Sequence, residues 1–201
     1  MRRVVSIALV HHPVLSPAGE VTTTAVTNLD VHDLARSART YGVAQYFVIH
    51  PIEAQRMLID KIVDHWVNGS SGKRIPDRIE ALRRVVVTPS LEDAFTAMGG
   101  RDAIEVWVTS AKEVRAPLPF SEARAALESA GKPVLLLFGT GWGLLDATIE
   151  AADVFLPPIG AVESDYNHLS VRSACAIALD RLLGDNATGS GRGSQPPSRL
   201  P

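Results

Sequence analysis

The chain has 201 residues, which is enough for one domain with a substantial hydrophobic core. Hydrophobic residues make up 46% of it and charged residues 21%, a composition that excludes a disordered or extended chain. The net charge of -2 gives no global basic field, so binding of nucleic acid would need a local basic patch. The single cysteine permits no internal disulfide, and neither a signal-like segment nor an apolar run of membrane length is found, so we expect a cytoplasmic protein without membrane contact.

Short apolar runs alternate with segments of helical length. In chain order the predicted elements are strand Val4–Val10, helix Asp30–Thr40, strand Tyr46–Ile49, helix Ile52–Val67, strand Val85–Thr88, helix Leu91–Met98, strand Ile104–Thr109, helix Ser121–Ala130, strand Val134–Phe138, strand Val154–Leu156 and helix Leu169–Leu183. Asp30 and Ser121 are the predicted N-caps of their helices. The alternation predicts an α/β domain with a mostly parallel sheet and helices on both faces.

Two segments differ from the rest of the chain in composition. The end of the chain, 185–201, is rich in Gly, Ser and Pro and predicts a disordered tail, which leaves 1–184 as a single domain. The segment Asn68–Arg78 also predicts low order, and it is basic. Charge runs of this kind are more often solvated faces than binding sites, and composition alone does not decide between the two interpretations.

A glycine-rich loop, FGTGWGL, directly follows the apolar strand that ends at Phe138. Gly139, Gly141 and Gly143 let the backbone approach a ligand closely, although a tight packed turn would also explain them. The loop lacks the lysine of a P-loop and the G-x-G-x-x-G spacing of a dinucleotide fingerprint, which disfavours an NAD-dependent enzyme. A second loop, LPPIG, is followed by a polar stretch and a helix start near Asn167, where backbone donors can hold a polar ligand group.

The order of these segments resembles the three motifs of the SPOUT superfamily of S-adenosylmethionine-dependent RNA methyltransferases. In TNLDVHDLARSARTYGV, Asp30 stands where the superfamily has asparagine, Arg36 matches its arginine, and the Tyr-Gly-Val ending is kept. The second motif resembles GTGWGL, and the third resembles LPPIG followed by HLSVRSACAI. Within the superfamily the chain is most similar to a bacterial group with TNLDVHD, GTGWGL and DYNHLSVR strings, and the likeness covers nearly all of 1–184.

The resemblance implies a Rossmann-like domain with a C-terminal deep trefoil knot, acting as a homodimer on tRNA or rRNA. It implies that S-adenosylmethionine is held in the knot and leaves as S-adenosylhomocysteine, with no metal ion. The apolar last helix is consistent with a dimer. The cofactor-binding residues that the resemblance implies are Thr109, Ser110, Gly139, Thr140, Gly141, Trp142, Gly143, Leu144, Leu156, Pro158, Ile159, Asn167, His168 and Leu169.

The catalytic candidates are Arg36, Asp165 and His168. Arg36 would bind RNA phosphate or polarise the acceptor, and its alternative is a solvated charge paired with Asp33. Asp165 and His168 would serve base methylation, and loop or cap roles are equally open for both. The residues expected to contact RNA are the basic ones around the low-order segment and on two helices, namely Arg36, Arg39, Arg56, Lys73, Arg74, Arg78, Arg83 and Arg84. The alternative function is a noncatalytic module that binds RNA or the cofactor on the same fold.

Overall fold

The computed structural model describes residues 2–164 and 166–185, without the side chains of Ser71 and Lys73. Two sequence predictions, the catalytic role of Asp165 and the disordered tail from 186 onward, therefore lie outside the described residues, as does the side chain of Lys73. Within the described ranges the strands are β1 (Val5–Val10), β2 (Val14–Leu15), β3 (Val21–Thr22), β4 (Tyr46–Ile49), β5 (Val85–Thr88), β6 (Glu105–Val108), β7 (Val134–Gly139) and β8 (Val154–Phe155). The helices there are α1 (Asn28–Thr40), α2 (Glu53–Val67), α3 (Ser70–Arg74), α4 (Pro76–Leu82), α5 (Leu91–Ala97), α6 (Phe120–Glu128), α7 (Asp146–Glu150) and α8 (Val171–Leu183), with one 3-10 turn at Arg101–Ala103.

Six of the described strands form one parallel sheet in the order β5-β4-β1-β7-β6-β8, and β2 and β3 form a separate antiparallel hairpin. Side chains of β1 alternate between the faces of the sheet, as the two-residue period of a strand requires. Ile7 and Leu9 join one core cluster with α1, α2, α4, α6 and α8, whereas Ala8 and Val10 join a second cluster with α5 and α7. The predicted α/β class, with a parallel sheet covered on both faces, is confirmed.

The prediction of low order for Asn68–Arg78 is wrong, because α3 and α4 occupy that segment. Pro76 stands in the first turn of α4, where its fixed φ suits a helix and its missing N–H costs no hydrogen bond. Ala81 and Leu82 at the end of α4 are buried in the core, and the Arg78 guanidinium lies 4.5 Å from the centre of the Trp66 ring. Packing against the rest of the chain thus allows helices to form in a segment whose glycine and charged residues predict low order.

Both predicted N-caps are also wrong. The Thr27 side chain caps α1 by accepting a hydrogen bond from the Asp30 backbone N–H, so that Asp30 lies inside the first turn. Helix α6 begins at Phe120 after Pro119, so Ser121 lies one residue inside it. None of the described helices is long and apolar enough to cross a membrane.

The order of the strands has a switch point between β1 and β7, although all six strands are parallel. From β1 the chain proceeds outward to β4 and β5, whereas β7 and β6 lie on the other side of β1. In open parallel sheets a ligand crevice forms at such a switch point, beyond the carboxyl ends of the strands. Here those ends are His11 after β1 and the Gly139–Gly143 loop after β7.

Candidate functional site

A cleft of about 610 Å³ lies at this carboxyl edge of the sheet. Its walls come from the segments that follow β1, β6, β7 and β8 and from the first turns of α1 and α8. The volume is in the range of pockets that bind small molecules and cofactors. The strand order and the cleft therefore indicate the same position for a ligand-binding site.

Eleven of the predicted cofactor-binding residues line this cleft: Thr109, Ser110, Gly139, Thr140, Gly141, Trp142, Gly143, Ile159, Asn167, His168 and Leu169. Leu144, Leu156 and Pro158 do not contribute to its wall. Leu144 and Leu156 are buried in the two core clusters, behind the loops that carry the other residues. Binding by the eleven stays a prediction, but the fold brings them together from three separate segments.

The hairpin holds the glycine-rich loop in place. The Trp142 backbone N–H donates to the Leu15 carbonyl over 3.1 Å, and the Leu15 N–H donates to the Gly143 carbonyl over 2.9 Å. Gly141 has a φ of +59°, and an added Cβ would lie 3.0 Å from the Leu15 oxygen and 3.2 Å from a methyl carbon of Thr24. Glycine is needed here for its left-handed conformation and for close contact with the hairpin. The Trp142 side chain remains 55% exposed at the cleft.

The segment before α8 forms the opposite wall. The Asn167 side-chain amide donates to the Ala111 carbonyl over 2.5 Å, which ties the loop after β8 to the loop after β6. The exposed His168 ring contacts Tyr166 edge to face, with ring centres 5.5 Å apart. Ser170 caps α8 by accepting from the Ser173 N–H over 3.2 Å. Ile159 and Leu169 add apolar surface, so this side of the cleft suits a planar, partly apolar group.

A partly buried ion pair joins α1 to α8 at one side of the cleft. The Arg172 guanidinium lies 2.7 Å from one carboxylate oxygen of Asp30, and the Thr27 hydroxyl donates to the other over 2.6 Å. Arg172 also lies 3.6 Å from Asp33, the residue that the sequence offered as a partner for Arg36. Because the Asp30 side chain is only 7% exposed, the pair fixes the position of both helix starts.

A chain of hydrogen bonds determines which nitrogen of His11 carries the proton. The Thr140 hydroxyl lies 3.0 Å from the Val10 carbonyl, which can only accept, so Thr140 donates there. Thr24 then donates to Thr140 over 2.5 Å, and His11 Nδ1 donates to Thr24 over 2.9 Å. The second ring nitrogen, Nε2, consequently has a free lone pair, and it is buried without a hydrogen-bond partner among the described residues.

The surroundings of His11 keep its ring neutral. Burial and, to a smaller extent, the nearby His50 lower the pKa of His11 from 6.5 to about 4. The Asp30 carboxylate and hydrogen bonding with Thr24 act in the opposite direction. His50 has both nitrogens engaged, since its Nε2 donates to the Thr24 carbonyl and its Nδ1 accepts from the Ile52 N–H. His11 thus presents an unprotonated acceptor at the cleft wall.

Arg36 is exposed on α1 and does not line the cleft. Burial lowers the pKa of His32, and the positive charges of the nearby Arg78 and Arg36 lower this pKa as well. Most of the other predicted RNA-contacting residues are engaged within the chain. Arg39 pairs with Glu80 at 2.7 Å, and Arg56 donates to the carbonyls of His50 and Pro51. The exposed Arg36 and Arg74 have no ion pair with a carboxylate in the described parts of the chain.

Sequence reasoning missed two features of the cleft. His11 directly follows the first predicted strand, so its place at the carboxyl edge was a readable signal. The pairing of Asp30 with Arg172 joins positions 142 residues apart, and neither residue type alone predicts it.

Comparisons with known proteins identify related sequences. Residues 4–184 match the model of a family described as SAM-dependent RNA methyltransferase. A tRNA (guanine-N(1)-)-methyltransferase of Nitratidesulfovibrio vulgaris is 43% identical over 180 residues, which are 89% of this chain and 41% of that protein. The chain thus spans about two fifths of the length of this curated relative.

Two solved structures show the same fold. A probable methyltransferase of Bordetella pertussis superposes with a TM-score of 0.59 at 18% identity, covering 90% of this chain and 92% of that one. A TrmH/SpoU tRNA-modifying enzyme of Aquifex aeolicus gives a TM-score of 0.54 at 13% identity, covering 90% and 75%. The family match confirms the predicted resemblance to SAM-dependent RNA methyltransferases, and the two structures confirm the fold.

Proposed function

Since this chain belongs to the SAM-dependent RNA methyltransferase family, we propose that it transfers a methyl group from S-adenosylmethionine to a nucleotide of tRNA. The observation that carries the proposal is a cleft at the switch point of the sheet, lined by residues of all three predicted motifs. Relatives named as tRNA methyltransferases favour tRNA over rRNA. The guanine-N(1) specificity in their name belongs to proteins more than twice as long as this chain, so it is not part of the proposal.

The residues of the cleft fit the cofactor. Pro157, Ile159 and Leu169 offer apolar surface for an adenine ring, and the glycine-rich loop offers backbone polar groups beside it. Thr109, Ser110 and Asn167 add polar side chains on the same side. When bound, the cofactor supplies a methyl group on a positively charged sulfur, an electrophile that needs alignment more than activation.

The chain's own groups account for orientation. One hydrogen bond ties the loop after β8 to the loop after β6, and two others tie the loop after β7 to the hairpin, so these loops hold a ligand in a fixed place. The Asp30–Arg172 pair keeps the starts of α1 and α8 together on the other side. Such preorganisation is the main contribution a protein makes to an in-line displacement.

Contact with RNA is proposed for the basic surface around α1, α3 and α4. Arg36, Arg74 and Arg83 are exposed there, and Arg78 stacks on Trp66 beside them. Exposed guanidinium groups next to an aromatic ring suit phosphate contact and base stacking.

A homodimer and a C-terminal knot are proposed as well. The apolar stripe of α8 that suggested the dimer is largely covered by α1 and α6 of the same chain, so it no longer supports one. The support now comes from exposed apolar side chains near the cleft, at Leu29, Trp142, Tyr166 and Leu169. The knot is supported by the likeness in fold to a TrmH/SpoU enzyme.

The direct test is transfer of labelled methyl from S-adenosylmethionine to total tRNA of a strain that lacks the gene. Parent-strain tRNA serves as the control, because its target nucleotide is already modified. Label that enters the deletion-strain tRNA but not the parent-strain tRNA supports the proposal. Titration calorimetry with S-adenosylhomocysteine and with NAD tests the identity of the cofactor independently. Binding of RNA without any transfer would favour the noncatalytic module.

A further inference from the structure

The cleft divides into two parts by the strands that supply it. The segments that follow β6, β7 and β8 carry all the residues predicted to hold the cofactor. The remaining wall comes from the end of β1, from the chain that leads into α1 together with Asp30, and from the first turn of α8, which carries Arg172. If the proposed function holds, this remaining wall faces the nucleotide that accepts the methyl group.

His11 has an unusual position in that wall. Its side chain is almost completely buried, with 1% of the residue exposed, yet the residue lines the cleft. Its Nε2 has no partner in the described parts of the chain, whereas polar atoms at buried positions normally have one. The hydrogen-bond chain through Thr24 and Thr140 fixes the ring and keeps the proton on Nδ1. An unpartnered lone pair of fixed orientation thus lies buried in the wall of a cleft that is large enough for a ligand.

We propose that His11 Nε2 accepts the proton that the methyl-accepting atom of the RNA releases. The acceptor atom, an N–H nitrogen or O–H oxygen, forms a bond to the methyl carbon with its lone pair. The carbon–sulfur bond breaks with its electron pair on sulfur, and the acceptor's proton passes to Nε2. The sulfonium charge is thereby lost, and one positive charge appears on the His11 ring.

The weak basicity of the buried ring is compatible with this role. An acceptor atom that has gained a methyl group while still carrying its hydrogen is positively charged, and its proton is strongly acidic. Even a poor base removes such a proton, and Asp30 is close enough to favour the resulting imidazolium. At neutral pH the ring is unprotonated and ready to accept.

Two substitutions separate proton acceptance from simple contact. In His11→Asn the amide N–H replaces Nδ1 as donor to Thr24, and the group at the Nε2 position is lost. In His11→Gln an amide oxygen reaches the Nε2 position, where it accepts a hydrogen bond but cannot take a proton at neutral pH. His12→Asn is the matched control, since the adjacent His12 bonds to Thr22 and Thr23 and does not line the cleft.

The experiment measures single-turnover methyl transfer to deletion-strain total tRNA at saturating RNA and cofactor, and the affinity for S-adenosylhomocysteine by calorimetry. We expect both His11 variants to lose about 100-fold or more in rate, with unchanged affinity, and His12→Asn to match the wild type. A His11→Gln variant at the wild-type rate would overturn the proposal, because contact alone would then suffice. Loss of S-adenosylhomocysteine affinity in His11→Asn would also overturn it, since His11 would then belong to the cofactor site.

A readout on the wild type covers the case in which the variants fail to fold. In the ¹⁵N spectrum of the protein bound to S-adenosylhomocysteine, His11 should show a protonated Nδ1 and a free Nε2. Addition of deletion-strain tRNA should shift Nε2 toward the position of a hydrogen-bonded acceptor, and a protonated Nε2 in the free protein would contradict the proposal. A wild type without methyl transfer would instead overturn the proposed function, and this inference with it.

Discussion

The Asp30–Arg172 pair makes a clear prediction at the scale of single residues. Arg172→Met leaves the buried carboxylate with only the Thr27 hydroxyl, so we expect a loss of about 2–3 kcal/mol in the free energy of unfolding, measured in urea. Asp30→Asn combined with Arg172→Met should cost less than the sum of the single changes, because the second substitution removes the unpaired charge. Additive costs would show that the two side chains do not interact.

The lowered pKa of His11 predicts a loss of stability in acid. The unfolded chain takes up a proton on this ring near pH 6.5 and the folded protein only near pH 4, so the unfolded state binds more protons between these values. This contribution to stability is fully present above about pH 7 and is lost as the pH falls toward 4, with about 2 kcal/mol gone at pH 5. His11→Asn should remove that part of the difference between pH 7 and pH 5 in urea unfolding. An unchanged difference would mean that His11 titrates normally in the folded protein.

At the scale of elements, the contact of the glycine-rich loop with the hairpin controls the cleft. Gly141→Val puts a branched Cβ against the Leu15 carbonyl and Thr24, so the loop must move away from the hairpin. We expect at least a tenfold loss of S-adenosylhomocysteine affinity by calorimetry, about 1.4 kcal/mol. Gly19→Val is the control, because Gly19 has a φ of +79° in the exposed hairpin turn with open space around it. Equal affinity in a folded Gly141→Val protein would place the ligand elsewhere.

The basic surface predicts a salt-dependent effect on RNA binding. Arg36→Ala combined with Arg74→Ala removes two exposed guanidinium groups from α1 and α3, so the affinity for tRNA should fall. The slope of log affinity against log salt should become shallower by about one for each RNA phosphate that is no longer neutralised, while cofactor affinity stays the same. Arg101→Ala is the control, since Arg101 pairs with Asp153 at 3.0 Å and lies beside α5 on the other face of the sheet. An equal fall in affinity for the control variant would indicate a general effect of net charge.

The elements could largely be predicted from the sequence wherever burial follows a simple period. The strands at Tyr46–Ile49 and Val85–Thr88 have the predicted bounds, because each is a short aliphatic run of parallel-sheet type. The hairpin strands at Val14–Leu15 and Val21–Thr22 have two residues each, too few to show any period. Helix α4 depends on the burial of Ala81 and Leu82 by distant parts of the chain, which local composition does not reveal.

At the scale of the whole molecule, most residues of the predicted motifs line one cleft. Residues at 109–110, 139–143 and 159–169 meet because β6, β7 and β8 are parallel and end at the same edge. The position of His11 at the end of the first strand could be predicted, but its place beside the loop after β7 depends on which strands are neighbours, and the pairing of Arg172 with Asp30 depends on the packing of two distant helices. The order that places β1 beside β7 is a property of the tertiary fold, and the alternation of strands and helices fixes the class without fixing that order.

The proposed homodimer has its own test. Exposed apolar side chains beside the cleft would be covered in a dimer, so light scattering at micromolar concentration should give twice the 21.5 kDa mass of the chain. Trp142→Ser combined with Tyr166→Ser should shift the equilibrium toward the monomer. A wild type that scatters as a monomer would contradict the assembly.

Methyl transfer is the central claim, and nucleoside mass spectrometry tests it most directly. Total tRNA from a strain lacking the gene is incubated with the purified protein and methyl-labelled S-adenosylmethionine, digested to nucleosides and compared with tRNA of the parent strain. The account predicts that one methylated nucleoside missing from the deletion strain gains the label, and that parent tRNA gains none. Identical nucleosides in both strains, with no label in either RNA, would contradict it.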